Sequence, residues 1–207
     1  MSLSPDRFVD SEHPDVIAFA KSHGGGLSPR DAAVALFYAV RDGWWYDPWN
    51  VSSDPAHFRA SQVLAREPKT GHCIDKAVLL AASARALGVP ARLHFADVRN
   101  HVATEKLEQT LGTDLLVYHG YAELELDGRF IGVTPAFNAA LCDKLGVAPL
   151  EFDGEHEAIF QAYDREPGAF MEYITDHGVH DTLPLDDIQA AWRHHYGAAF
   201  DRLSQRT

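Results

Sequence analysis

A change of period in the middle of the chain restricts its fold more than any other feature. From Cys73 onward Ala77, Leu80, Ala81, Ala84 and Leu87 recur at three- and four-residue spacing, the pattern of a helix face. Gly88-Val89-Pro90 ends that run, and from Arg92 to Val98 the spacing falls to two, the mark of a strand. A longer alternating run, Leu115 to Leu126, leads into Asp127-Gly128, the dipeptide of a two-residue hairpin. The order reads as α+β, with an alanine-rich helix as the candidate cover of an antiparallel sheet.

The hairpin sets a register. If Leu126 faces Arg129, then Tyr121 faces Thr134, and His119 stands diagonally from Thr134 on the same sheet face. Ala122, Leu124 and Leu126 form the more apolar face; His119, Tyr121 and Glu123 point the other way, where the cysteine helix is expected to lie. Upstream, Pro14 opens a helix through Ser22, closed by Gly24-Gly25-Gly26, and Ser28-Pro29 caps a longer one bearing Ala33, Leu36, Phe37 and Val40. A third helix is expected from Ala56 to Arg66, Thr70 is the expected cap of the cysteine helix, and a further helix spans Val102 to Leu111. Beyond Asn138, the stretches Pro149 to Glu157 and Phe170 to Ile174 are expected to add strands or a loop over a cleft, and Pro184-Leu185 opens a last helix containing Ile188, Ala191, Trp192 and His195.

Cys73 stands where a nucleophilic thiol gains most. A helix N-terminus carries partial positive charge and unpaired N–H groups, which favour thiolate and can hold an oxyanion. Composition narrows the partners: 18 basic against 30 acidic residues, a net charge of −12, argue against nucleic acid and an anionic membrane surface. Two cysteines, Cys73 and Cys142, make no secreted-type disulfide framework. No apolar run reaches membrane-span length and Met1 to Arg7 has no apolar signal core, so a cytoplasmic protein is expected. Twelve histidines invite a metal, but no C-x-x-C or H-E-x-x-H spacing supports one, and no metal or cofactor is expected.

Taken together, Gly71-His72-Cys73-Ile74-Asp75-Lys76-Ala77, Arg85 to Arg92, His119-Gly120-Tyr121-Ala122-Glu123, Asp127-Gly128-Arg129-Phe130 and Thr134-Pro135-Ala136-Phe137-Asn138 resemble the transglutaminase-like, papain-related core over about residues 34–138. The resemblance implies a single domain over 1–207, with 139–207 an extension on or near the cleft. It implies a cysteine nucleophile at a helix start and a histidine base on a strand, which are Cys73 and His119 here. The family's third residue is an aspartate before proline, where this sequence has Thr134. A hydroxyl adds no charge to stabilise imidazolium, so Thr134, Asn138 or Asp97 is left as the group that orients His119.

The implied activity is acyl transfer or hydrolysis on a peptide, protein or small amide or ester through a Cys73 thioester. The alternative is a transglutaminase-like binding module without catalysis, because Thr134 replaces aspartate. Trp44-Trp45-Tyr46-Asp47-Pro48-Trp49-Asn50 is expected to give one ring to the cleft wall. Asp75 and Lys76 read as a solvated or locally paired patch, Arg85 and Arg92 as structural, and Cys142 as a small buried hydrophobe.

Overall fold

Helix α4 (Cys73–Ala86) is buried at every residue except its first and its last, and so runs through the interior instead of along one side. The computed structural model describes residues 3–100, 105–159 and 171–204. Alanine permits this placement, because short side chains let other elements close in around the helix. Packed against it are α1 (Pro14–Gly24), α2 (Pro29–Gly43), α3 (Ala60–Ala65) and two strands, β3 (Ala91–Asn100) and β4 (Leu115–Leu126).

The start of α4 is fixed by His72, not by Thr70. His72 Nδ1 accepts the Asp75 N–H at 3.2 Å while Asp75 Oδ2 accepts the His72 N–H at 3.1 Å, a reciprocal box that satisfies two helix-end donors. Thr70 lies in β2 (Thr70–Gly71), paired in parallel with β1 (Trp45–Tyr46). Asp75 and Lys76 are fully buried, so of the two expected alternatives the solvated patch is corrected, while Asp75 is paired locally with His72. Arg66 Nη1 donates to Asp75 Oδ2 at 2.7 Å. Lys76 Nζ donates to the carbonyls of Arg41, Trp44 and Ala136 at 2.8, 2.9 and 2.7 Å, two of them left over where α2 ends. Arg85 does not pair along its helix but reaches the carbonyls of Ser4, Ala91 and Asp181.

The sheet has the order β5-β4-β3-β6, with β5 (Arg129–Val133) and β6 (Met171–His180) at its edges and every neighbour antiparallel. The hairpin register is the expected one, from Leu126 opposite Arg129 to Ala122 opposite Val133. Asp127 and Gly128 take φ values of 52° and 79°, which suit a primed turn.

Helix α4 lies on the face of Ala122, Leu124 and Leu126, together with Ala91, Leu93 and Phe95 of β3, not on the face expected. The apolar helix covers the apolar side because that removes the most hydrocarbon from water. The other face carries a smaller cluster, in which Ala96 and Val98 meet Ala136, Phe137 and Cys142, the last on α6 (Ala139–Leu145).

The expected helix from Ala56 to Arg66 breaks at Arg59, between a 3-10 turn (Pro55–Phe58) and α3, where Ala60 N–H turns away to bond Phe8 O at 2.9 Å. Helix α5 (Glu105–Leu111) covers the later part of the one expected from Val102; residues 102–104 lie outside the described residues, as does Phe170. Residues 149–157 add no strand, and beside them only Ala158 makes a single parallel bridge, to Val133. Two helices close the described chain, α7 (Leu185–Tyr196) and α8 (Ala198–Ser204).

Candidate active site

Cys73 is the first residue of α4 and remains partly exposed. The backbone N–H groups of Gly120, on β4, and Ile74 stand close enough to its sulfur to favour the thiolate. Gly120 is what lets the helix end descend that far: a Cβ there would stand 3.0 Å from Phe95 Cε1 and 3.2 Å from Ile74 Cγ1. The residue before it is His119, buried, and both Cys73 and His119 line one cavity of about 60 Å³. Helix start and strand middle, 46 positions apart in sequence, therefore bring the two candidate side chains to one cavity.

The strand is distorted where it delivers His119. Tyr118 has φ 57°, a left-handed conformation that a bulky residue adopts only when held there. Asp97 Oδ1 accepts the Tyr118 N–H at 2.9 Å, His177 Nε2 lies 2.7 Å from the same oxygen, and the Tyr118 and His177 rings stack at 3.9 Å and 5°. Opposite, the β3–β4 register shifts between Ala96 and Val98. Asp97 thus holds the residue before His119. No residue-type signal in the sequence marks Tyr118 or His177; they meet through a β6–β3–β4 juxtaposition.

Thr134 lies one residue past β5, and continuing the ladder count brings it level with Tyr121. It is buried, its N–H donates to Ala158 O at 2.8 Å, and its Oγ1 has no hydrogen-bond partner among the described residues. Asn138 is buried and its Oδ1 accepts the Tyr46 N–H at 3.2 Å, so it fixes a cavity wall. From the aromatic segment, Tyr46 is the ring in that wall. Trp44 is a core anchor bonded through Nε1 to Val63 O at 2.9 Å, and Trp45 is exposed under Lys144. The opposite wall, which local pattern did not reveal, comes from Trp192, Tyr196, Phe200 and Leu203 of α7 and α8.

The model of the transglutaminase-like superfamily matches residues 17–135, more than half of the chain and including Cys73, His119 and Thr134. The chain belongs to that superfamily. Among solved structures, a candidate cysteine protease from Cytophaga hutchinsonii is similar at 21% identity and a TM-score of 0.47 over 65% of this chain. This chain covers 40% of that one. No curated protein matches. Membership in the superfamily supports a cysteine-dependent enzyme as the general kind of protein. Among the described residues no His, Cys, Asp and Glu cluster could hold a metal ion, and no helix is long and apolar enough to cross a membrane.

Electrostatics in this transglutaminase-like site are set by burial. Burial pushes the Cys73 thiol up to about 11, against the N–H groups of Gly120 and Ile74, which pull it down. Burial, aided by His72, pushes His119 down to about 4. Burial thus pushes both groups toward their neutral forms, against the thiolate that a helix N-terminus alone would favour. His72 is also held low by burial; its Nδ1 accepts the Asp75 N–H, so the ring proton sits on Nε2, which has no hydrogen-bond partner among the described residues.

Proposed function

We propose that the protein catalyses acyl transfer or hydrolysis through a thioester on Cys73, with His119 as general base and then general acid. One observation carries the reading: the thiol at the first residue of α4 and His119 of β4 line the same cavity, with the N–H of Gly120, the next residue, acting on the sulfur. As sulfur attacks the carbonyl carbon of an amide, ester or thioester, the Cys73 proton passes to His119. The oxyanion faces the Cys73 N–H at the positive end of α4. Collapse breaks the bond to the leaving group, which takes the proton from His119, and an acyl thioester remains. Water or an amine then gives its proton to His119 and attacks; the Cys73 sulfur leaves and recovers that proton.

Because burial favours the neutral pair, proton transfer accompanies attack instead of preceding it. Thr134 Oγ1 has no hydrogen-bond partner among the described residues, so the positioning of His119 is assigned to Asp97, which holds the preceding Tyr118 N–H. Water as acceptor makes a peptidase or amidase and an amine makes a transferase; hydrolysis, which needs no second substrate, is the simpler course. The chain acts as one unit over 1–207 on a peptide, protein or small amide or ester, with residues after 138 at the cleft. A reactive free thiol suits a reducing, cytoplasmic setting. No step calls for a metal or cofactor.

The test is p-nitrophenyl acetate followed by mass spectrometry of the intact protein. One acetyl group on Cys73 is expected, absent in Cys73→Ala and formed about 10²-fold more slowly in His119→Ala. A wild-type protein that is never acetylated would overturn the reading. It would leave the second one, a transglutaminase-like module that binds without catalysis, which the Thr134 replacement and the push of burial toward the neutral forms favour.

A further inference from the structure

The cavity at Cys73 is shaped by its chemistry and by what closes it. Among the described residues its lining includes no carboxylate, ammonium or guanidinium group; away from the reactive pair it is formed by side chains such as Val51, Leu111, Leu116, Trp192 and Leu203. A charged guest would lose its hydration there without gaining a partner, a cost that an apolar guest avoids. A volume of about 60 Å³ corresponds to roughly four to six water positions, the room of a chain of about four carbons. His72 brings to the wall a buried Nε2–H without a hydrogen-bond partner among the described residues, suited to one acceptor oxygen.

The same cavity is shut against a strand. Among the described residues β5 pairs β4 only from Ala122 to Leu126, so the edge from Leu115 to Tyr121 has no strand neighbour on that side. Such an edge is where an extended peptide adds itself through main-chain bonds. Here the groups of Leu115 and Val117 at its start are already taken. Tyr196 Oη accepts the Val117 N–H at 2.6 Å and donates to Leu115 O at 3.1 Å, and Trp192 Nε1 donates to Val117 O at 3.0 Å. The two side chains that occupy the edge also wall the cavity.

Resting on the reading of Cys73 as the nucleophile, we infer that the substrate is a short, uncharged acyl group of about four carbons seated between Cys73 and α7. Trp192 and Tyr196 are its specificity-determining residues, and an extended peptide along β4 is excluded.

Alkylation tests the cavity without requiring catalysis. Wild-type protein is treated with iodoacetamide, N-butyl iodoacetamide and an N-iodoacetyl tetrapeptide amide, and labelling of Cys73 is followed by mass spectrometry, with each reagent's rate on glutathione as reference. After that correction the butyl reagent is expected to label Cys73 at least about tenfold faster than iodoacetamide, and the peptide reagent more slowly than either. In Trp192→Ala the butyl advantage shrinks and the peptide reagent gains; Tyr196→Phe, which keeps the ring but releases the Val117 and Leu115 groups, gives the peptide gain should Trp192→Ala not fold. His72→Asn, which keeps a capping acceptor, slows the butyl reagent several-fold; an unchanged rate overturns the role given to His72. Equal butyl and peptide rates in the wild type, or no native labelling by any reagent, overturn the substrate assignment. Acetylation of Cys73 by p-nitrophenyl acetate separately reports whether the enzyme reading stands, so the two can fail independently.

Discussion

The first turn of α4 holds two polar groupings built in opposite ways. Asp75 and Lys76 are fully buried and furnished with partners: Arg66 and the His72 N–H on the carboxylate, three carbonyls around the ammonium. Two or three residues earlier, Cys73 faces a cavity walled mainly by hydrocarbon, to which His72 brings a buried Nε2 lacking a hydrogen-bond partner among the described residues. The contrast separates holding from reacting. A satisfied buried network fixes where a helix begins, and groups left under-satisfied keep the capacity to bond something that arrives.

Exchanging single residues between the two groupings breaks the contrast if it is wrong. The largest effect is expected from Cys73→Ala, which lowers acyl transfer at least about 10³-fold while shifting the unfolding free energy by less than about 1 kcal/mol. Urea denaturation alongside the ester assay reads both, and a large stability loss would move Cys73 into the holding group. Asp75→Ala is the converse: it strands the Arg66 guanidinium and costs about 3–5 kcal/mol in urea unfolding.

The pH dependence of stability sharpens the comparison at intermediate size. Burial pushes Lys76 down to about 7 from 10.5, against the three carbonyls that favour its ammonium form, so as pH rises through that window the folded chain releases its proton before the unfolded one and stability rises with pH. His119, at about 4 against 6.5, behaves likewise at lower pH: stability falls as pH drops from 6.5 toward 4, by an amount on the order of 3 kcal/mol. Lys76→Met should flatten the upper window, and His119→Ala should reduce the lower slope to what the buried His72 and His57 leave, each change sparing the other window.

The smallest effect is assigned to Asp97→Ala. Freed from Asp97, Tyr118 relaxes its backbone and His119 shifts, slowing acetylation about tenfold, or about 1.4 kcal/mol, while Cys73 alkylation by iodoacetamide changes less than about twofold. Parallel losses in both rates would show that Asp97 acts on the whole cavity and not on His119.

What could be read from the sequence was local. The Asp127-Gly128 turn dictates its own register, and the alanine spacing marks α4 because both signals lie within a few residues of what they control. The order of cysteine, histidine and hairpin carried the family. Asp75 and Lys76 misled because charge in a helix ordinarily means solvent; beyond the local box of Asp75 with His72, their partners lie 9 to 60 positions away, at Arg66, Arg41, Trp44 and Ala136. The sheet face was misassigned for a related reason, since a histidine expected to meet the cysteine was given precedence over the hydrocarbon of Ala122, Leu124 and Leu126. Tyr118, His177 and the α7–α8 wall were invisible because a left-handed tyrosine and a cross-sheet stack leave no periodic trace.

Arg85 gives α4 a grip at its far end. One guanidinium donates to Ser4 O and Asp181 O, and the adjoining Asp6 accepts the Thr182 hydroxyl at 2.9 Å, so the opening segment and the arm leading into α7 are fastened to the same anchor. An affinity handle or a trim within residues 3–6 would loosen the hinge post of the cavity's own roof. Altered labelling of Cys73 after such an edit would then report mechanical slack transmitted along one helix, with every cavity residue intact.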